Sequence, residues 1–156
     1  MAPTLNRSLA DLGALLHLVD PTLPIGGFNH SNGLETFVQQ GVVATKSSLE
    51  EYVQTQLLQN WVYNDGAYLS LVFEAMATND FERLCELDHS LSATKIARES
   101  REGSFKLGVR LLKIFIRYEQ HPMLSQFQQA IQNKTVQGYF PIVFAMVAQA
   151  LSLIHI

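Results

Sequence analysis

Apolar residues recur along this chain in steps of three and four, and no stretch sustains an alternation of apolar and polar positions. The pattern predicts an all-α, single-domain bundle of about six to eight helices with short connections. Leu9, Leu12, Leu15, Leu16 and Val19 share one side of a helix over Leu9 to Val19, which Asp20-Pro21 ends. A second helix, from about Asn32 to Gln40, carries Leu34, Phe37 and Val38. Asn32 and Glu35 have the spacing of a capping box, which sets its start near Ser31 or Asn32, and Gly41 closes it. Ser47 and Glu50 repeat that spacing ahead of Leu49, Tyr52, Val53, Gln56, Leu57, Asn60 and Trp61. Asp65-Gly66 is either a break or a tolerated glycine before a helix over Ala67 to Ala77. Asn79-Asp80 then starts another, carrying Phe81, Leu84, Leu87 and Leu91.

The longest periodic segment is Thr94 to Tyr118, where Ile96, Ser100, Gly103, Leu107, Leu111, Ile114 and Tyr118 fall on one continuous face of a central helix. Small residues in its first half, Ser100, Gly103 and Ser104, permit another helix to come close. His121-Pro122 separates it from a helix over Met123 to Ile131. Asn133 to Gly138 is a polar turn, and Pro141 opens the last helix where a missing N–H is harmless.

Composition narrows the class. With 156 residues, 47% hydrophobic and 16% charged, the chain has apolar material for one packed domain. A net charge of −3, with 11 Lys and Arg spread along the sequence, gives no basic face of the kind a phosphate backbone needs, so nucleic acid is not an expected partner. The single Cys85 excludes an internal disulfide, and the start of the chain carries no leader-like pattern, which points to a cytoplasmic setting. Phe140 to Ile156 is the one stretch apolar enough to suggest a membrane. It is short and interrupted by Gln149, Ser152 and His155, so a buried helix is the better reading.

The most distinctive stretch is Pro21-Thr22-Leu23-Pro24-Ile25-Gly26-Gly27-Phe28-Asn29-His30-Ser31-Asn32-Gly33-Leu34-Glu35. Its prolines fix φ and bias Asp20 and Leu23 away from helix, while Gly26 and Gly27 have access to backbone angles closed to other residues. The order Pro-x-Leu-Pro-Ile-Gly-Gly-Phe followed by Ser-x-Gly-Leu-Glu closely resembles the signature of the urease accessory protein F family. A second block, Thr94-Lys95-x-x-Arg98-Glu99-Ser100-Arg101-x-Gly103-Ser104 with Leu107-Gly108, is similar to the same family, as is Tyr139-Phe140-Pro141-Ile142-Val143-Phe144. The resemblance implies further helices and a partly basic tail beyond Leu151 to Ile156, so the chain reads as a copy that lacks them.

What the resemblance implies is a non-catalytic maturation factor. Family members dimerise, associate with accessory protein D (also called H), recruit the GTPase accessory protein G, and deliver nickel to the urease apoenzyme. The motif residues carried over as partner-binding candidates are Pro24, Gly26, Gly27, Phe28, Ser31, Gly33, Leu34, Glu35, Lys95, Arg98, Glu99, Ser104 and Gly108. No cofactor is expected to be bound directly, since the complex handles nickel and GTP.

Read for chemistry alone, the residues offer little. The glycine-rich turn has the form of an anion cradle, but no Lys or Arg lies between Asp20 and Lys46, and a structural turn or protein contact is favoured. Gly41 to Ser47 ends in Lys-Ser like a phosphate-binding loop, yet its second glycine is absent. His17, His30, His89, His121 and His155 stand far apart; Asp88-His89 is the nearest thing to a ligand pair and reads better as an exposed polar helix end. Ser31 reads as a cap rather than a nucleophile beside His30, and Cys85 as a small packed apolar residue. Lys95 with Glu99, Arg98 with Glu102 and Glu102 with Lys106 stand at i, i+4 on the long helix; an interface patch and a helix-packing motif both fit. The alternatives to a scaffold are a small helical enzyme with a site around His30, Glu35 and Arg98, or an inactive fragment of the scaffold.

Overall fold

The computed structural model describes residues 9–27 and 33–152. Helices run over Leu9–Leu18 (α1), Leu34–Gln39 (α2), Lys46–Thr55 (α3), Ala67–Ala77 (α4), Phe81–Thr94 (α5), Arg98–Phe115 (α6), Pro122–Gln132 (α7) and Phe140–Ala150 (α8). A π-helical segment, Gln56–Gly66, joins α3 to α4 without a break. Among the described residues there is no strand, and the architecture is the expected all-α bundle.

Helix α8 sits at its centre. Ile142, Val143, Ala145, Met146 and Val147 are wholly buried, as a helix apolar all round must be. It packs chiefly against α6 on one side and α4 on the other, with α5 beside them. The most apolar stretch of the chain is therefore core, and no helix among the described residues is long and apolar enough to cross a membrane. Leu84, Leu87 and Leu91 of α5 and Leu124 and Phe127 of α7 complete the core, with Phe81 meeting Phe127 edge-on at 6.4 Å between ring centres.

Several boundaries differ from the sequence reading, each for a local reason. Helix α2 begins at Leu34 because Gly33 takes φ +93°, a left-handed conformation that no helical residue can share; the expected start at Ser31 or Asn32 lies outside the described residues. Helix α3 is capped by Thr45 rather than by Ser47 and Glu50. The Thr45 hydroxyl accepts from the Ser48 N–H at 3.2 Å and the Ser48 hydroxyl accepts from the Thr45 N–H at 3.0 Å, a reciprocal box set earlier in the chain. Gly66 is tolerated inside a continuous helical run rather than breaking it. The long helix starts at Arg98, not Thr94, because Arg101 donates to the carbonyls of Lys95 (2.8 Å) and Ile96 (2.6 Å) and holds Lys95 to Ala97 as a linker. On α1 the buried position is Leu18, with Ala14 and Leu15 against the core; Leu12, Leu16 and Val19, expected on the packed side, are exposed.

Candidate docking groove

The signature loop lies on α6. Leu23 is buried, and the Ile25 carbonyl accepts from Arg110 Nη1 at 3.0 Å. The Asp20 carboxylate accepts from both the N–H and the hydroxyl of Thr22 at 2.7 Å, which fixes the first turn and holds that carboxyl below its usual range. Gly26 has φ +83°, and a Cβ there would run into the Arg110 guanidinium. Gly27, expected to share that backbone freedom, does not have positive φ, and a Cβ on it would rest 3.6 Å from Leu107 in ordinary contact. Gly26→Ala is therefore expected to cost about 1 to 2 kcal/mol, whereas Gly27→Ala leaves the melting temperature nearly unchanged; thermal melts of the pair check this. Phe28, His30 and Ser31 lie outside the described residues.

Between the π-helical segment and the start of α6 runs a groove of about 770 Å³. Trp61 and Asp65 line one wall, Lys95, Glu99 and Ser104 the other, and Gly33 one end. Lys95 Nζ donates to Asp65 at 2.9 Å, both side chains being largely covered, so the pair ties the linker before α6 to the π-helical segment. The expected Lys95 to Glu99 pair is absent because Lys95 precedes the helix. Arg98 to Glu102 (2.7 Å) and Lys106 to Glu102 (3.8 Å) do form, and both are exposed. Arg98 does not line the groove. On α2, Leu34 is half-buried and Glu35 exposed, while Pro24 borders a smaller cavity of about 240 Å³ with His17, Leu23 and Tyr118.

The second and third motif blocks meet directly. A Cβ on Gly108 would collide with backbone atoms of Gly138, Tyr139 and Phe140, so only glycine lets α6 lie against the start of α8. The Ser104 hydroxyl accepts from the Phe140 N–H at 3.2 Å and satisfies one of the unpaired donors of α8. Gly103, by contrast, has open space around it.

Sequence reasoning missed the residue that fixes this junction. Asp88 is not an exposed helix end but wholly buried, accepting from the N–H groups of Gln137 (2.6 Å), Gly138 (3.0 Å) and Tyr139 (2.9 Å). The available signal was its position: Asp88 falls on the apolar stripe of Leu84, Leu87 and Leu91, where a carboxylate needs fixed donors. Burial pushes its carboxyl above the ordinary 3.8, with the three N–H donors opposing. Its neighbour His89 points away, its Nε2 2.7 Å from the Thr135 carbonyl. Cys85 packs against the core, and burial, then the nearby Asp88, pushes its thiol up. Among the described residues no three His, Cys, Asp or Glu side chains come together as a metal site.

Comparison with known proteins gives this geometry a family. Residues 43–154 match the family model UreF. The chain is 81% identical over 153 residues to the urease accessory protein UreF of Haemophilus influenzae, covering 98% of this chain and 65% of that protein. It is 78% identical over 145 residues to the protein of the same name from Actinobacillus pleuropneumoniae serotype 5b, covering 93% and 64%. To the one from Streptococcus salivarius it is 34% identical over 144 residues, covering 92% and 61%. The chain thus spans a little under two thirds of the length of these relatives. Since the family model covers well over half of its residues, including both walls of the groove and the α6–α8 junction, the chain belongs to the UreF family.

Proposed function

We propose that this chain acts as a non-catalytic scaffold in urease maturation, assembling with accessory proteins D/H and G on the urease apoenzyme in the cytoplasm, regulating the GTPase and supporting nickel insertion. The observation that carries the reading is its 81% identity to a protein named urease accessory protein UreF. Physically, the second motif block supplies Lys95, Glu99 and Ser104 to an open groove, which suits docking of another protein. Homodimerisation belongs to the same reading: Leu49, Val53, Leu57 and Trp61 leave an apolar strip exposed along α3 and the π-helical segment. For the alternative enzyme site, Arg98 is engaged by Glu102 on the surface, and Glu35 is exposed on the short α2.

Co-expression with the D/H and G proteins, followed by size-exclusion chromatography, tests the reading. Co-elution of all three is expected; a chain that elutes alone would refute it. Arg98→Glu is expected to weaken that co-elution while leaving the melting temperature nearly unchanged, since its ion pair is exposed. Equal loss of folding and assembly would assign Arg98 a structural role.

A further inference from the structure

The cations of this chain are too few for a phosphate backbone, yet four of them gather along α6. Lys106, Arg110 and Lys113 lie on the helix and Arg117 in the turn after it, at successive spacings of four, three and four, and all are exposed. That spacing sets them in one row along a helix face, roughly 16 Å long at 1.5 Å per residue. From Gly103 to Tyr118 there is no Asp or Glu, in a chain where acids outnumber Lys and Arg 14 to 11. Glu102, on Lys106 at 3.8 Å, and Glu119 bound the row. Among the described residues, Arg110, Lys113 and Arg117 form no ion pair. The helix dipole accounts for Lys113 and Arg117 near the C-terminus but not for Lys106 or Arg110.

We propose that this row docks an acidic amphipathic helix of a protein partner, its carboxylates spaced by three and four residues opposite Arg110, Lys113 and Arg117. Apolar surface adjoins the end of the row. Tyr118 is 73% exposed, and α1 packs there through His17, whose ring lies 5.1 Å from Phe115 and 6.4 Å from Tyr118. The same helix presents exposed Leu12 and Leu16. An acidic helix with an apolar edge uses both features. Nucleic acid uses only one of them: three cations without an ion pair, one of which, Arg110, already holds the Ile25 carbonyl, give a salt slope of at most about −2.7, and the net charge opposes approach. This surface is separate from the groove, and the proposal stands whether or not the maturation complex forms.

The test uses a labelled synthetic helix with glutamates at three- and four-residue spacing and leucines on its edge, its binding followed by fluorescence anisotropy at low and moderate salt. Lys113→Glu/Arg117→Glu should weaken binding at least about tenfold. Lys46→Glu/Lys134→Glu, an equal change of net charge off the row, should weaken it far less. Thermal melts verify folding, and Lys113→Gln/Arg117→Gln replaces the reversal if it unfolds. Equal weakening by both pairs, no preference for the peptide over its glutamine counterpart, or tighter binding of a short DNA duplex would each overturn the proposal. Co-elution with the accessory proteins reports on the scaffold reading independently.

Discussion

Gly108→Ala should lower stability by about 3 kcal/mol, a drop of roughly 6 to 12 °C in melting temperature for a chain of this size. The added methyl would meet backbone atoms of Gly138, Tyr139 and Phe140 rather than a side-chain end that can swing away, so α6 and α8 must separate. Those two helices form the most extensive helix contact in the bundle, and the separation would loosen Ile142 and Met146 as well as the Ser104 to Phe140 hydrogen bond. Gly103→Ala is the matched control. It sits in the same helix with nothing within 4 Å of the added atom, and should be neutral or stabilising by up to about 1 kcal/mol. Chemical denaturation of both variants measures the contrast; equal effects would mean that α6 and α8 are not in close backbone contact.

Asp88→Ala should cost about 3 kcal/mol or more, because it strips the acceptor from three backbone N–H groups, two of them on the buried residues Gly138 and Tyr139. Asp88→Asn keeps the shape but turns an amide N–H₂ toward at least one donor, and should cost about 2 kcal/mol. The pH dependence has a definite sign. With its folded carboxyl held above 3.8, Asp88 binds a proton in the native state that the unfolded chain has released, so its contribution falls as pH rises from 3.8 through the folded value. The stability gap between the parent chain and Asp88→Asn should accordingly widen on acidification across that window. A gap that narrows there would show that the three N–H donors outweigh burial.

The helices were legible because their apolar positions repeat at the helical period. Asp80 in front of Phe81, Pro141 near the start of α8 and the Phe140–Ala150 stretch, apolar but for Gln149, all sit where the pattern places them. Boundaries were misread where a side chain from elsewhere in the fold decides them. Nothing near Lys95 announces that Arg101 will hold its carbonyl, or that Asp65, thirty residues earlier, will take its ammonium. For the same reason the Gly26 requirement was shared in sequence with Gly27, and only Arg110, far along the chain, separates them. The groove was half visible: Lys95, Glu99 and Ser104 stood out as a motif, but Trp61 read as the far end of a helix and Asp65, beside Gly66, as part of a break or a tolerated glycine. The basic row escaped notice because its cations are diluted by Leu, Ile and Phe in the linear order and align only once α6 is wound.

Nickel content and activity of urease produced with accessory proteins D/H and G, in cells lacking their own UreF, test the scaffold reading most directly when measured with and without this chain. Nickel loading that rises only when the chain is present, with no turnover by the purified chain alone, is the expected result. Loading that is the same with and without it, or a small-molecule activity intrinsic to the chain, would contradict the reading.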